Sequence, residues 1–219
     1  AILSKYKLTD AERIQLRLRT DQDELTQYFY LRRNILKAKI TSLAQGSSEF
    51  YAVNIHATAF ATDDTKQQHI DKYVETLAVI NDGDDLFVTG GDLNSVPPGS
   101  ITDFCESDMC DGEDYHTDEA EEYHKEGSYF ENFDGEPEIL LPLYSAYNSA
   151  IDSSEANLPN HFTHGPSTSF EMNNIKYDRK LDYLFTNGSW VTDAAQTHQG
   201  AWELSDHMPV SSKVNFGGE

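Results

Sequence analysis

Residues 34–89 constrain the fold more than any other part of the sequence, because they combine a strand period and a helix period in a fixed order. Asn34–Thr41 alternates apolar and polar residues like a half-buried strand, and residues 49–55 are predicted to return as the second strand of a hairpin. Residues 65–80 carry apolar side chains at the spacing of a buried helix face. A short apolar strand follows at residues 86–89. The order strand, helix, strand predicts an α/β fold with a helix packed on a sheet.

Further strands are predicted on both sides of this unit. Residues 13–19 alternate apolar and polar side chains, and residues 181–185 and 208–214 show strand signals as well. The apolar opening at residues 1–3 looks like the beginning of a strand. We therefore expect the chain to be one piece of a longer protein.

Turn-forming and capping residues mark the ends of the predicted elements. Residues 45–48 (Gln-Gly-Ser-Ser) are predicted to form the hairpin turn. Asp63 or Asp64 is predicted to cap the helix, and residues 81–83 (Asn-Asp-Gly) are predicted to end it.

Acidic residues dominate the charge and are concentrated in one stretch. The formal net charge is -22, and residues 103–136 hold 14 of the 38 acids, with Lys125 as their one base. We predict an exposed acidic insertion loop at residues 103–136 within a single domain that spans residues 1–219. The sequence shows no basic footprint for tight duplex binding. A nuclease is still compatible with this charge, because metal ions can neutralise a scissile phosphate locally.

Two cysteines, Cys105 and Cys110, lie in the acidic stretch and are followed by His116 and His124. A local disulfide, two free thiols and a zinc site all remain open. The sequence contains no run of about 18 apolar residues that would span a membrane. We expect a secreted or periplasmic protein, and a disulfide would be stable in such an oxidising compartment.

Four short segments place polar residues directly after or before predicted strands. Residues 54–56 (Asn-Ile-His) and 90–94 (Gly-Gly-Asp-Leu-Asn) follow apolar runs, whereas residues 179–183 (Arg-Lys-Leu-Asp-Tyr) and 205–207 (Ser-Asp-His) stand at the start of strands. Strand ends are where open α/β folds gather their sites. These residue types suit magnesium or calcium binding and proton transfer. We predict that six residues converge in one cleft: His56, Asp92, Asn94, Asp182, Asp206 and His207.

In this order, the segments resemble the C-terminal motifs of the DNase I-like endonuclease/exonuclease/phosphatase superfamily. Residues 53–57 (VNIHA) resemble its N-x-H segment, and residues 89–99 (TGGDLNSVPPG) resemble its G-D-x-N-x-x-P segment. Residues 178–185 (DRKLDYLF) resemble its R-x-D-Y segment, and residues 204–210 (LSDHMPV) its S-D-H-x-P-V segment. The opening AILSKYKL resembles a strand in the later part of that domain, so the resemblance covers nearly the whole chain.

The resemblance implies a DNase I-like four-layer α/β sandwich, in which two facing mixed sheets are flanked by helices and the N-terminal part is missing from this chain. It also implies divalent-metal-dependent hydrolysis of a phosphoester, as by a phosphodiesterase or nuclease. The cofactor would be Mg²⁺, or alternatively Mn²⁺ or Ca²⁺. Water activated by the metal and by His and Asp side chains would attack the phosphorus atom.

The resemblance also implies a role for each residue of the predicted site. His207 would be the catalytic histidine, oriented by Asp182, and Asp206 would help to hold the metal. Asp92 and Asn94 would orient the attacking water and the scissile phosphate, and His56 would contact the phosphate or the leaving oxygen. The implied catalytic residues are His56, Asp92, Asn94, Asp182 and His207; the implied metal ligands are Asp92, Asn94, Asp206 and His207; the implied substrate-binding residues are His56 and Asn94.

The chain departs from the family pattern at two places. No glutamate precedes Asp10, so the family's metal-binding Glu and its Asn are expected upstream of Ala1, or in a separate N-terminal chain. Deoxyribonuclease-like members carry a Glu beside an Arg before the hairpin strand. Here residues 32–34 read Arg-Arg-Asn, so this stretch offers no carboxylate partner for His56.

Several substrates and functions remain open at this point. The N-x-H segment differs from the abasic-site endonuclease branch, and residues 178–185 lack the Trp and the Asp-Arg pair of inositol-polyphosphate 5-phosphatases. Secreted nucleases, sphingomyelinase-like phospholipid phosphodiesterases and poorly defined bacterial members of the superfamily remain, with nucleic acid or a phospholipid head group as a possible substrate. Two non-enzymatic alternatives are an inactive binding module on the same fold and a calcium-stabilised surface protein that binds cations through residues 111–126.

Overall fold

The structure is a computed structural model that describes residues 1–41, 48–59, 61–100, 135, 138–165, 177 and 179–216. Its helices and strands, in chain order, are β1 (Lys7–Gln15), α1 (Glu24–Phe29), β2 (Asn34–Thr41), β3 (Phe50–His56), α2 (Thr65–Asp82), β4 (Leu86–Asp92), α3 (Leu141–Ala146), β5 (Asn148–Ser149), α4 (Ser153–Ala156), β6 (Asp182–Thr186), β7 (Ser189–Trp190), β8 (Gln196–Thr197), β9 (Val210–Ser211) and β10 (Val214–Asn215). Single turns of 3-10 helix lie at Pro159–His161 and Gln199–Ala201.

A six-stranded mixed sheet with the order β1-β2-β3-β4-β6-β5 organises the fold. β3 and β4 are parallel and are joined through α2, whereas the other neighbouring strands pair antiparallel. A parallel pair requires such a crossover, because the chain must return to the same end of the sheet. The described residues also form two-stranded ladders, β7–β10 and β8–β9, and β9 contacts β6. The predicted α/β class is confirmed.

α2 packs on the sheet through the predicted apolar face. Ile70, Tyr73 and Leu77 are fully buried, and Val74 packs against the edge of the same core. A fully buried side chain of this size stabilises the fold by about 1.5–3 kcal/mol relative to an exposed one. The Tyr73 hydroxyl forms a hydrogen bond with the Thr89 hydroxyl, so the polar end of this buried ring is satisfied.

The first strand lies earlier than the periodicity predicts. β1 ends at Gln15 and does not continue through residues 16–19, and residues 1–3 do not belong to a strand. Most residues of β1 are exposed although they pair with β2. An exposed strand has no hydrophobic alternation, which explains why the pattern indicated only its last residues.

The ends of the other elements differ from the predictions by small shifts. α2 runs two residues beyond residue 80, to Asp82. Asp63 Oδ1 accepts a hydrogen bond from the Thr65 backbone N–H at 3.0 Å, whereas Asp64, at the N-cap position, makes no side-chain capping bond. The strand predicted at residues 208–214 is divided into β9 and β10, which pair with different partners.

Some predictions fall outside the described residues. They concern the hairpin turn apart from Ser48, the acidic insertion apart from Gly135, and the environment of Cys105 and Cys110. Among the described residues, no helix combines the length and the apolar character needed to cross a membrane.

Candidate active site

Four neighbouring strands bring polar residues to the same edge of the sheet. In the strand register His56 lies opposite Asp92, and Asp92 lies opposite Asp182. Arg33 immediately precedes β2, whose first residues pair with the last residues of β3. Because β3 and β4 end where β2 and β6 begin, these four residues form a row along one sheet edge.

His207 lies at this edge and is held by Asp182. Its Nδ1 atom donates a hydrogen bond to Asp182 Oδ2 at 2.8 Å, and its backbone N–H donates to Ser205 Oγ at 3.1 Å. Burial by itself lowers the pKa of His207, but the hydrogen bond to Asp182 and the charges of Asp182, Asp92 and Asp206 raise that pKa to about 9. Asp182 therefore fixes the orientation of the ring and leaves Nε2 available for proton transfer.

The carboxylate of Asp92 lies between the two histidines. Its Oδ2 atom is 3.2 Å from His56 Nε2 and 3.9 Å from His207 Nε2. Burial by itself raises the pKa of Asp92, but the hydrogen bond from His56 and the positive charges of His207 and His56 outweigh it, so the pKa lies below its usual value. Asp92 thus supplies the carboxylate partner of His56 that residues 32–34 do not provide.

Asn94 supports the Asp92 carboxylate from a strained backbone position. Its φ of 47° lies in the left-handed region, which Asn tolerates better than most residues. Its backbone N–H donates to Asp92 Oδ1 at 2.8 Å, and its Nδ2 donates to Asp92 Oδ2 at 3.0 Å and to Ala57 O at 3.1 Å. The Asn94 amide nitrogen is therefore engaged within the protein, and Oδ1 is the atom with which it would contact a metal ion or substrate.

His164 joins the site from a segment outside the main sheet. Its Nδ1–H donates to the Asp206 carbonyl oxygen at 3.0 Å, and its ring packs on that of His207 with 4.5 Å between the centroids. Burial lowers the pKa of His164, and the positive charges of His207 and Arg179 lower it further. A neutral imidazole therefore lies beside the charged one at neutral pH.

A cleft of about 470 Å³ contains all of these groups. All six residues predicted to converge line it, although they come from separate parts of the chain. The structure thus confirms their convergence, while their catalytic, metal-binding and substrate-binding roles stay predictions. The lining residues are Arg33, His56, Ala59, Asp92, Asn94, His164, Asp182, Asp206 and His207.

Two groups of side chains in the cleft could hold a metal ion. One comprises Asp92, Asp182 and His207, and the other comprises His164, Asp206 and His207; within each group the ligand atoms lie within 4.8 Å of one another. Carboxylate oxygens are ligands that Mg²⁺ and Ca²⁺ prefer, and imidazole nitrogen is also accepted by transition metals such as Mn²⁺. The donor set therefore fits a divalent cation.

The sequence did not predict His164 as a site residue. Its segment is joined to the site by Thr163, whose Oγ1 accepts hydrogen bonds from the backbone N–H groups of Leu181 and Asp182. The Thr163 carbonyl accepts a further bond from Met208 N–H at 2.8 Å. These contacts are long-range and follow no strand or helix period, so a single sequence gives no signal for them.

Arg33 is the second residue in the cleft that the sequence did not assign to the site. Arg33 belongs to residues 32–34, which the sequence analysis discussed only because they lack the glutamate of deoxyribonuclease-like members. Its position follows from the register of β2 against β3. The hydrophobic pattern predicted this hairpin but gave no sign that the residue before β2 reaches the cleft.

The fold and the cleft define an α/β protein with a histidine–aspartate pair at one sheet edge. Residues 1–207 match the Endonuclease/Exonuclease/phosphatase family. This chain belongs to that family. None of the curated proteins matches the sequence.

Solved structures share the fold at low sequence identity. The endonuclease/exonuclease/phosphatase of Beutenbergia cavernae superposes with a TM-score of 0.58 and 13% identity, over 98% of this chain and 47% of that chain. A 3′-5′ exonuclease of Neisseria meningitidis gives 0.56 and 13%, over 97% of this chain and 73% of that one. The human Nocturnin catalytic domain gives 0.52 and 12%, over 97% and 60%. The chain thus spans about half to three quarters of the length of these relatives.

Proposed function

We propose that this protein hydrolyses phosphodiesters with the help of a divalent metal ion. One observation carries the proposal. His207 is held by Asp182, and its Nε2 atom lies 3.9 Å from the half-buried carboxylate of Asp92. The chain belongs to a family that unites endonucleases, exonucleases and phosphatases. An imidazole held in one orientation beside carboxylates can act as a general acid or base in the hydrolysis of a phosphoester.

In this proposal each side chain of the cleft has its own role in hydrolysis. Asp182 holds His207 in one orientation, so that Nε2 exchanges a proton with the attacking water or with the substrate. Asp92, positioned by Asn94, orients the water. His56, whose side chain is 53% exposed, lies at the open side of Asp92 and binds the phosphate or the leaving oxygen.

The same cleft provides the ligands for the metal ion. Asp92 and Asp206, with Asn94 Oδ1, would hold Mg²⁺, Mn²⁺ or Ca²⁺. His207, expected from the resemblance as a further ligand, is left out of this set, because its Nδ1 is bonded to Asp182 and its Nε2 is needed for proton transfer. When bound, such an ion stabilises the negative charge that develops on the phosphoryl oxygens during an in-line displacement. The carboxylates and the histidines keep their own contacts, which position them before substrate arrives.

Charge favours a small or flexible phosphodiester over a long duplex. The net charge of -22 repels an extended polyanion, and duplex-binding proteins usually carry a basic surface. We therefore propose a short nucleic acid strand as the main substrate, cleaved outside the cytoplasm in a secreted or periplasmic setting.

A phospholipid head group is the second candidate substrate. α1 exposes large apolar side chains, with Leu25 at 68%, Tyr28 at 71% and Phe29 at 77% exposure. The connection that follows it reaches the cleft wall, because the Tyr30 hydroxyl donates to the carbonyl oxygen of Ala59. Exposed apolar groups next to a polar cleft favour an amphipathic substrate.

Hydrolysis of bis-p-nitrophenyl phosphate tests the proposed activity. We expect release of nitrophenol with Mg²⁺ or Mn²⁺, loss of the activity with EDTA, and recovery when the metal is added back. Calcium-dependent melting without turnover under any of these conditions would contradict the enzyme and favour a binding protein. Parallel assays with a single-stranded oligonucleotide and with sphingomyelin vesicles distinguish the two substrates.

A further inference from the structure

The backbone of His164 is fixed from two sides at the wall of the cleft. It forms antiparallel bridges to Arg179 on one side and to His207 on the other. Its N–H donates to the Arg179 carbonyl oxygen at 3.1 Å, and the carbonyl oxygen of the preceding residue, Thr163, accepts from Met208 N–H at 2.8 Å. Thr163 itself is fully buried. The His164 side chain therefore extends from a well-defined point.

One contact of the His164 side chain holds the turn that carries Asp206. Residues 203–206 are exposed, and exposed backbone has few packing contacts that keep it in one conformation. His164 Nδ1–H donates to the Asp206 carbonyl oxygen at 3.0 Å, although the two residues are 42 positions apart. The bond is made to the main chain, so it restrains Asp206 without using the carboxylate oxygens that are proposed to bind the metal ion.

A second contact supports the ring of His207. The two imidazoles pack with 4.5 Å between their centroids and 34° between their planes. The hydrogen bond from His207 Nδ1 to Asp182 fixes one atom of that ring, but a single bond still allows the ring to rotate about the bond axis. A second ring packed on one face limits this rotation. The direction of His207 Nε2 is therefore set by two contacts.

Distances alone would also allow His164 to bind a metal ion together with Asp206 and His207. Such an ion would occupy Nε2 of His207, because the Nδ1 atom of that ring is bonded to Asp182. The ring could then no longer exchange a proton with water or substrate. A positioning role for His164 leaves Nε2 available, and the two roles predict different effects of substitution.

We propose that His164 is a positioning residue that holds Asp206 and His207 in the orientations that metal binding and proton transfer require. This inference rests on the proposed metal-dependent hydrolysis and adds to it a residue that acts through two others. The two contacts have separable effects. The hydrogen bond acts on metal affinity through Asp206, and the ring packing acts on proton transfer through His207.

Two substitutions remove one contact each. His164→Phe keeps a packed ring and removes the Nδ1 donor, whereas His164→Asn keeps an N–H donor close to the position of Nδ1 and removes the ring. His161→Phe and His161→Asn are the matched controls, because His161 is a half-buried histidine of the same segment that does not line the cleft. The measurements are Mn²⁺ binding by electron paramagnetic resonance without substrate, and kcat on bis-p-nitrophenyl phosphate in saturating Mn²⁺.

We expect the two variants to be affected in different quantities. His164→Phe should weaken Mn²⁺ binding by about 2- to 10-fold, the effect of one hydrogen bond, and should lower kcat less than His164→Asn does. His164→Asn should bind Mn²⁺ more tightly than His164→Phe but lower kcat by about 10- to 100-fold, because a misplaced reacting group slows the chemical step. In the Asp206→Ala background His164→Phe should weaken Mn²⁺ binding no further, since the bond acts through Asp206. Both His161 variants should behave as wild type.

The outcomes separate this inference from the proposed activity. Equal weakening of Mn²⁺ binding in both His164 variants would make His164 a metal ligand and overturn its positioning role. Wild-type Mn²⁺ binding in His164→Phe together with wild-type kcat in His164→Asn would overturn it as well. If wild-type protein binds Mn²⁺ but cleaves nothing, the proposed activity fails. Mn²⁺ binding then decides, and equal affinity of His164→Phe and His161→Phe would refute the inference. Wild-type protein that binds no Mn²⁺ would overturn both.

Discussion

Asp182 and His207 are joined by a hydrogen bond of 2.8 Å between Oδ2 and Nδ1, although they are 25 residues apart in the chain. Asp182 is the first residue of β6, and His207 precedes β9, so the bond links the main sheet to one of the small ladders. Each partner thereby restricts the other, and the imidazole presents Nε2 to the cleft. The central chemical pair is fixed by tertiary structure rather than by local sequence.

Replacing Asp182 by Asn should inactivate the protein without unfolding it. The amide keeps the shape of the carboxylate but loses its charge, so the His207 pKa should fall from about 9 towards its ordinary value and the ring should lose its preferred tautomer. Comparable changes at a histidine partner lower kcat by about 10⁴-fold. We expect a large loss of kcat on bis-p-nitrophenyl phosphate that excess metal does not restore. Recovery with metal would assign Asp182 to metal binding instead.

Replacing Asp206 by Ala should weaken metal binding and leave the histidine pair intact. The Asp206 carboxylate belongs to one of the two groups that could hold an ion, so activity should require more Mg²⁺ or Mn²⁺ and recover partly at high concentration. Glu203→Ala is the matched control, because Glu203 is an exposed acid in the same segment. An unchanged metal requirement in Asp206→Ala would remove Asp206 from the ligand set.

Lys180 should reduce the stability of the fold at neutral pH. Burial lowers the pKa of Lys180 from 10.5 to about 8, against the attraction of Asp182, and its Nζ atom has no hydrogen-bond partner among the described residues. Below pH 8 the folded protein must hold a buried charge, at a cost on the order of 3 kcal/mol. Between pH 8 and 10.5 the unfolded state binds the extra proton, so stability should rise with pH.

Urea unfolding of Lys180→Met checks this expectation. The variant should be more stable than wild type near pH 7, and the rise in stability above pH 8 should be absent. A variant less stable than wild type at pH 7 would show that the ammonium group makes a favourable contact.

His69 should make the fold sensitive to acid. Its Nδ1 atom accepts a hydrogen bond from Thr58 N–H at 3.1 Å, and its Nε2 lies 2.7 Å from the Arg17 carbonyl oxygen. Burial lowers the pKa of His69 below the ordinary 6.5. Below pH 6.5 the unfolded chain therefore binds a proton that the folded state excludes, and stability falls as the pH falls.

The free energy of unfolding at pH 7.5 and 5.5 measures this effect. His69→Leu should be less stable at pH 7.5 by about 1–3 kcal/mol, because Thr58 N–H and the Arg17 carbonyl lose their partner. It should also lose part of the pH dependence that wild type and the control His198→Asn retain. If the free energy of unfolding of His69→Leu changed between pH 7.5 and 5.5 as much as that of wild type, other groups would be responsible for the acid sensitivity.

The sequence was sufficient to predict the parts of the site that follow buried strands. His56 and Asp92 end apolar runs, and Asp182 begins one, so the hydrophobic pattern alone brings them to strand ends. The parallel pairing of β3 and β4, required by the helix between them, then places His56 beside Asp92. These predictions depend on burial, which a single sequence reveals.

The remaining features of the fold and the site depend on contacts that produce no periodic pattern of apolar residues in the sequence. β1 is exposed along most of its length, so its beginning carried no alternation. His164 enters the site through backbone bonds made by Thr163, and Arg33 enters it through register. The sequence predicted that His56 and Asp92 share a cleft, but not that Asp92 is the hydrogen-bond partner of His56. The roles implied by the resemblance give Asp92 to the attacking water, the phosphate and the metal, and its carboxylate has enough oxygen lone pairs to serve several partners.

The rate of bis-p-nitrophenyl phosphate hydrolysis by His207→Asn in saturating Mg²⁺ tests the central claim most directly. His198→Asn is the matched control, since His198 bonds to Ser211 and does not line the cleft. General acid–base groups contribute about 10²–10⁴-fold to rate, so kcat/KM should fall by that factor in His207→Asn while both variants melt like wild type and His198→Asn keeps wild-type activity. A His207→Asn protein that is folded and hydrolyses the substrate at the wild-type rate would contradict the account.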